Sequence, residues 1–481
     1  MDSLLLACCP LSASGTRWQP RPGRRLRRCL LLLRRRQRPR PPPGRGPGRC
    51  SATCSTWSAA HLPGRTAKWR RQYGDLVSFT FGSRRFVILN SYAVIKEALT
   101  SPDMTHGKGI VSAEGELWRE HRRFALKVLR DFGFARSGTE EAIHAELAEL
   151  QQTLDARAGQ RLGDRRARAA GHRQPCCSSN YRAGTQDEGF TDFMLASQEN
   201  LQRQQHWPLH PTAFPGLYSI PGFMRLLQLI GVDVFVFKRN IEVTHRFCRD
   251  QIDRHRRNLA EPSRRLPGCF LLEQQRLTQS ARFDDFQLVR TLTELFIAGT
   301  DTTSNTIRWA LLGGATGNSR LPVYRDKKAM HFTMAFIDEV QRYSTLAPFS
   351  VGHRCTRDIR FKGYDISSND LIMVNLYGVH HDPELWDQPA EQFRPSASST
   401  PAASTRPASS SCPSPSGSGP AWAREPGRQE LFLFLSGIFQ AYRVELHKDC
   451  YKDLKDIEVG SAGLVHAPGK HQIIFHRRAA K

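Results

Sequence analysis

The sequence predicts a mainly α protein with a small β region, and three observations carry that prediction. Apolar residues recur at helical spacing over several long stretches. One stretch, Phe286 to Leu312, is apolar along most of its length. Strict alternation is confined to a few short runs. The chain has 481 residues, enough for one large domain or two to three ordinary ones. Its 70 Lys and Arg against 45 Asp and Glu give a formal charge of +25. That excess would ordinarily point to nucleic acid or an anionic membrane surface. It is concentrated between Arg21 and Arg49 and between Arg157 and Arg173, so it describes two patches rather than the whole chain.

Taken in order, residues 1 to 66 form an irregular Arg/Pro-rich head with no sustained period. No window approaches the roughly 18 consecutive apolar residues of a membrane span, and Leu30 to Leu33 is a short run between arginines. The stretch GDLVSFTFGSRRFVIL alternates on either side of Gly82-Ser83, which predicts a β-hairpin, and a helix should begin at Ser91. Helical spacing continues over Trp118 to Leu129, Glu140 to Leu154, Ile241 to Leu259 and Phe286 to Leu312. Residues 157 to 187 and 396 to 427 break the pattern, the second being rich in Ser, Pro and Ala. After Tyr364 short strands return, and the tail from Asp456 to Phe475, turning at Ala467-Pro468-Gly469, should close as a hairpin.

Twelve cysteines do not imply a disulfide framework in a chain of this length, and a reducing compartment fits better. Cys50, Cys54 and His61 lack a second ligand pair at zinc spacing, so no metal cluster is expected.

The chemistry-bearing residues are few. In the long helix, Ala298-Gly299-Thr300-Asp301-Thr302-Thr303 places small and hydroxylated residues where Leu or Ile would be usual. Thr302 lies four residues after Ala298, so its hydroxyl can compete for that carbonyl and open a local groove. Asp301 is an ionisable group in an apolar helix, although a Thr-rich helix end with an exposed Asp is the plainer alternative. Glu339 and Arg342, three apart, share a helix face; most such pairs are solvated and contribute a few tenths of a kcal/mol. Trp118 and Arg122, four apart, can hold a carboxylate-bearing ligand or simply stack.

The order of these features decides more than their spacing. W-x-x-x-R at 118, A-G-x-D-T-T at 298, E-x-x-R at 339, Pro348 with His353-Arg354, and WDQPAEQFRP ending at Pro395 together resemble the cytochrome P-450 superfamily, in particular its microsomal animal branch. The resemblance covers residues 67 to 156, 188 to 395 and 428 to 481. It implies the P-450 fold over 67 to 481, interrupted at 157 to 187 and 396 to 427. It also implies roles for individual residues: Trp118, Arg122 and His353 as contacts to the propionates of heme b, Asp301 and Thr302 as the acid-alcohol pair of catalysis, and Glu339 with Arg342 as a structural pair behind the haem. Phe296, Ala298 and Leu464 would line the substrate pocket.

The family's haem-binding loop, F-x-x-G-x-R-x-C-x-G, carries the Cys thiolate that ligates iron. No such loop stands in this sequence, and Cys412 has no Gly or Arg at the required offsets, so no residue is assigned to the metal. The genetic code offers a reason. Codons exist for Ser396 to Thr400 that, read from the third base, spell Arg-Phe-Leu-Asp. At the same offset Pro413 to Arg424 spell Phe-Ser-Val-Gly-Lys-Arg-Ala-Cys-Met-Gly-Glu. Trp422 has a single codon, which nearly forces the Met-Gly. Pro41 to Thr53 likewise yield a Pro-rich hinge, so the head reads as a disrupted anchor and hinge. After the long helix, WALLGGATGNSRLPVY is too short to hold the helices the family has before Arg320.

The resemblance implies a haem-dependent monooxygenase that inserts one oxygen atom of O2 into a small lipophilic molecule. Its electrons would come from NADPH through a flavoprotein reductase, at the cytosolic face of the endoplasmic-reticulum membrane. Two other classes compete. One is a haemless pseudoenzyme or frame-shifted gene product without the thiolate. The other is a basic nucleic-acid-binding protein, against which the head's lack of interleaved aromatics counts.

Overall fold

The computed structural model describes residues 44–45, 69–81, 84–101, 103, 115–131, 137–156, 158–159, 161–163, 188–203, 234–257, 266–276, 283–313, 330–350, 352–386, 392–393, 421–447, 461–462, 465–469 and 471–479. Leu464, Cys412, Pro395, Cys50, Cys54 and His61 lie outside them, as does the expected turn at 82–83.

Strand β1 (Gly44–Arg45) lies parallel to β2 (Leu76–Phe81), a short regular piece within the head expected to be irregular. β2 pairs antiparallel with β3 (Arg84–Leu89) from Leu76↔Leu89 to Phe81↔Arg84, as the alternation predicts. The period of two sends Val87 and Leu89 into one apolar cluster and Phe86 and Ile88 into another, so both faces of β3 are covered. The expected helix follows as α1 (Tyr92–Thr100), where the Ser91 hydroxyl accepts from the Val94 N–H at 3.5 Å.

Helices α2 (Gly115–Asp131) and α3 (Ser137–Asp155) contain the periodic stretches and extend them by a few residues at each end. Residues 157–187 were expected to be irregular throughout, yet β4 (Arg161–Gly163) lies within them. Helix α4 (Glu188–Arg203) precedes α5 (Val234–Arg257), α6 (Leu266–Arg276) and the 29-residue α7 (Asp285–Gly313). At about 1.5 Å per residue α7 runs some 40 Å, long enough to serve two cores. Its first half packs Leu288, Leu292 and Phe296 with α2, α4, α5 and α6. Its second half packs Ile307, Trp309 and Ala310 with α3, with α8 (His331–Ser344) and with α10 (Ala421–Ala441).

Between α8 and α10 come β5 (Ile359–Phe361), β6 (Tyr364–Ile366), β7 (Leu371–Val374) and α9 (Leu376–His380). β7 joins β3 in parallel, giving a sheet of order β1-β2-β3-β7. α10 begins at Ala421, inside the Ser/Pro/Ala stretch that lacked any period.

The tail corrects the expected closing hairpin. β8 (Tyr442–Leu446) follows α10 directly, and β9 (Ser461–Ala462) pairs, among the described residues, only with β10 (His466–Ala467). β11 (Gln472–Arg477) instead lies between β8 and β4, with Ile473↔Leu446 and Ile473↔Leu162 opposed. The burial of Ile473 and Phe475 in the core shared by α3 and α10 outweighs the shorter loop a local hairpin would close.

α3 and α10 approach closely at Gly437, where an added Cβ would collide with a Leu147 methyl and sit 3.3 Å from its Cγ. Ala is the better helix former by about 1 kcal/mol, whereas overpacking a buried contact costs about 1–3 kcal/mol. Because Leu147 is itself sealed in the core, Gly437→Ala is expected to lower stability by about 1 kcal/mol, read as a lower urea midpoint at unchanged slope.

Candidate functional site

On α7 the small-residue stretch does what its spacing predicted. The Thr302 hydroxyl donates to the Ala298 carbonyl at 2.6 Å, and the Thr306 hydroxyl donates to the Thr302 carbonyl at 2.9 Å. Asp301 is buried, at 6% exposure, rather than sitting at an exposed helix end. Its main-chain oxygen accepts from the Asn305 amide at 2.9 Å and the Ser304 hydroxyl at 3.2 Å, so the backbone around the acid is held by side chains as well as by the helix ladder. Ala298 is exposed although Phe296 before it and Asp301 after it are buried.

Phe296 does not share this exposure. It packs against Phe193 and Phe247 with ring centroids at 5.2 and 5.9 Å, in the cluster formed with α4 and α5. On the other side of α7, the Thr303 hydroxyl donates to the buried carboxylate of Glu430 on α10 at 3.4 Å. Sequence reading missed Glu430, although a lone acid within RQELFLFLSGIFQ is the signal that could have found it.

Glu339 and Arg342 are not a solvated pair. Their side chains are 2% and 4% exposed, and the guanidinium grips both carboxylate oxygens at 2.8 Å. Its remaining donors reach the His380 carbonyl at 3.0 Å and the Gln392 carbonyl at 3.0 Å, which ties α8 to α9 and to the segment after it. The ring of Trp386 covers the same guanidinium at 5.4 Å.

His353 is set by β7, exchanging two main-chain hydrogen bonds of 2.8 Å with Ile372. Its ring is buried, and neither nitrogen has a hydrogen-bond partner among the described residues. Burial holds its pKa below the ordinary histidine value. Arg122 lies on α2 one turn after Trp118, and partial burial lowers its pKa as well. Thus Phe296, Ala298, Asp301 and Thr302 share one helix, Glu339 and Arg342 form one ion pair, and Arg122 and His353 come from two further elements.

These features bear on a haem group. A buried imidazole with both nitrogens unmet, and an exposed Ala298 with the Thr302 alcohol one turn on and a buried acid beside it, fit a bound group bearing carboxylates and needing a polar neighbour. None of the described cysteines fits as a thiolate for its iron. The free cysteines of the described residues are Cys248, Cys269 and Cys355. Burial raises all three thiols, with Cys248 and Cys355 pushed up to about 12, far from thiolate character. No cluster of three His, Cys, Asp or Glu poised for a metal occurs among the described residues.

The family model described as "Cytochrome P450" matches residues 54–316 and 312–475. The chain belongs to the cytochrome P450 family. The match divides near residue 312, where the sequence is too short for the helices expected before Arg320. Curated relatives in the family include cytochrome P450 2C20 of Macaca fascicularis, 28% identical over 468 residues that cover 85% of this chain and 88% of the relative. Cytochrome P450 2C8 of Homo sapiens is 28% identical over 462 residues, covering 84% and 87%. Cytochrome P450 2U1 of Bos taurus is 27% identical over 459 residues, covering 85% and 80%. The family is one of haem-dependent monooxygenases, and the mainly α architecture with small sheets is that of its members. No helix of the described residues is long and apolar enough to cross a membrane.

Proposed function

We propose that this cytochrome P450 serves insertion of one oxygen atom of O2 into a small lipophilic substrate, with electrons drawn from NADPH through a flavoprotein reductase at the cytosolic face of the endoplasmic-reticulum membrane. The observation that carries the reading is the open Ala298–Thr302 face of α7, with a back-bonded alcohol beside a buried acid. When bound, heme b supplies the O2 chemistry. Arg122 and the unmet imidazole of His353 would receive its propionates, with Trp118 on the same helix as Arg122. Thr302 holds its proton on the Ala298 carbonyl and presents its oxygen lone pairs outward, where they can accept from a water or from substrate. Asp301 is the group able to give that position a proton. Ala298 keeps the face shallow for an apolar substrate, with Leu464 a further lining residue, and Phe296 backs the site from the aromatic cluster. Glu339 and Arg342 hold the α8–α9 frame.

A second reading is favoured by the cysteine chemistry: the chain as printed is a product that lacks the thiolate. The two are separated by one experiment. The printed chain, supplied with haem and reduced under carbon monoxide, is expected to lack the red-shifted Soret band of thiolate ligation. A chain carrying residues 396–424 in the shifted frame is expected to show it. A thiolate band from the printed chain would mean that another sulfur ligates iron. Its absence from the restored chain would remove the monooxygenase reading. The transcript across Pro395 to Arg428 is expected to carry the base that moves one frame into the other.

A further inference from the structure

Among the described residues, β9 and β10 pair only with each other, so no strand ladder fixes where their hairpin lies. Hydrogen bonds reach it from α7 and from the end of α8. On the α7 side, the Trp309 indole N–H donates to the His466 carbonyl at 3.1 Å, and the Arg308 guanidinium donates to the Pro468 carbonyl at 3.4 Å. On the α8 side, His466 gives its main-chain N–H to the Leu346 carbonyl at 2.6 Å. Its ring gives Nδ1–H to the Ser344 carbonyl at 2.6 Å, since a carbonyl can only accept.

Helical spacing ties the α7 bonds to the candidate site. Arg308 follows Asp301, and Trp309 follows Thr302, by two turns or about 10 Å, which keeps each on the face of its counterpart. Asn305 spans the interval between acid and guanidinium. Its amide donates to the Asp301 carbonyl at 2.9 Å, and its oxygen accepts from Arg308 at 2.8 Å. Asn305, Arg308 and Trp309 are all buried, so their hydrogen bonds are stronger than exposed ones would be. The Trp309 ring also lies against the rings of His466 and Tyr343, with centroids at 5.2 and 6.5 Å. In the chain, Leu464 stands between β9 and β10, two residues before His466.

We infer that Arg308 and Trp309 are positioning residues: by clamping the hairpin that carries Leu464, they set the width of substrate admitted beside Ala298 and Thr302. The inference rests on the reading of that site as the pocket for an apolar substrate. When the α7 bonds are removed, those to Ser344 and Leu346 remain, so the hairpin stays attached and yields on its α7 side. A narrow substrate enters with the clamp closed. A wide one must first displace the hairpin, so the clamp lowers its affinity by the fraction of chains in which the hairpin is displaced.

The probes are naphthalene and pyrene, equilibrated by dialysis against the haem-supplied full chain and read by their own fluorescence. Trp309→Phe keeps a ring against His466 and removes the N–H, Arg308→Met removes the guanidinium donors, and Arg308→Lys keeps a charged donor. One hydrogen bond corresponds to a factor of about five, so Trp309→Phe is expected to bind pyrene about fivefold more tightly and naphthalene as the parent does. Hydrogen-exchange mass spectrometry should show the amides of 461–469 exchanging faster by the same factor, with β8 and β11 at the parent rate. Arg308→Met is expected to act in the same direction, and Arg308→Lys to return towards the parent. Should Arg308→Met fail to fold, Trp309→Phe decides alone. Unchanged hairpin exchange, faster exchange in β8 and β11 as well, an equal change for both probes, or a loosened hairpin with unchanged pyrene affinity would overturn the assignment. Neither measurement depends on thiolate ligation, so failure of the clamp and failure of the monooxygenase reading are seen separately.

Discussion

Arg342→Ala is expected to cost about 3–5 kcal/mol of stability, the range seen when one member of a buried ion pair is removed. Three losses fall together. Glu339 keeps a carboxylate that is 2% exposed on its side chain and loses both guanidinium contacts of 2.8 Å. The His380 and Gln392 carbonyls each lose a charged donor, and the Trp386 ring loses its cation. An unmet buried acceptor costs about 1–3 kcal/mol by itself, so the buried His380 carbonyl alone accounts for a large share. A typical domain has about 5–15 kcal/mol in total, so this change should bring the chain close to unfolding. The discriminating measurement is a double-mutant cycle in urea. Glu339→Leu with Arg342→Met removes both charges at once and should lose less than the sum of the two single changes, with a coupling of about 2 kcal/mol. Additive losses would mean that the pair acts only through its backbone contacts and not through its mutual charge.

The sequence made the site's order readable before its surroundings. Spacing alone put Thr302 over the Ala298 carbonyl, because a helix repeats every 3.6 residues whatever packs around it. Spacing alone could not tell a buried Glu339–Arg342 pair from a solvated one. What buries it is α9 and residue 392, some 40 to 50 positions later, and no local pattern encodes that distance. The tail went wrong for the same reason. The partners of β11 are β8 and β4, one about 30 residues earlier and the other about 310, whereas a hairpin signal reports only neighbours. Glu430 was overlooked because the apolar run around it dominated the reading, even though the one acid in that run was the informative residue. Residues 161–163 and 421–427 form a strand and a helix within stretches that lack any period, so the absence of a pattern was weaker grounds for irregularity than its presence was for order. The thiolate is a different matter: no folding rule can restore a ligand that the printed residues do not contain.

Acid should unfold this protein through two neighbouring histidines before its carboxylates protonate. His380 is sealed at the end of α9, and desolvation, with the charges of His381 and Arg342, lowers its pKa to about 3. His381 is lowered to about 4, chiefly by burial, with Arg342 adding. The hydrogen bonding explains why the neutral ring is preferred. The Thr345 hydroxyl donates to the Arg342 carbonyl at 2.8 Å, so it can only accept from Nδ1–H of His380 at 3.0 Å. That fixes the tautomer and leaves Nε2 of His380 as a bare acceptor in a dry pocket, with no partner among the described residues. Protonation there would create a buried cation beside Arg342 with nothing to receive its new N–H.

Both rings ionise near 6.5 in the unfolded chain. A folded value below that means the unfolded state binds the extra protons, so stability is complete above about 6.5 and falls as the pH drops towards the folded values. At pH 5 the loss is about 2 kcal/mol for each ring. Urea midpoints at pH 7.5 and pH 5 measure it, and His380→Leu isolates it, because leucine needs no proton and leaves the Thr345–Arg342 bond in place. The variant should lose about half as much stability across this interval as the parent chain. Equal losses in both would show that His380 reaches water when it protonates, and that the acid sensitivity belongs to groups outside the α8–α9 frame.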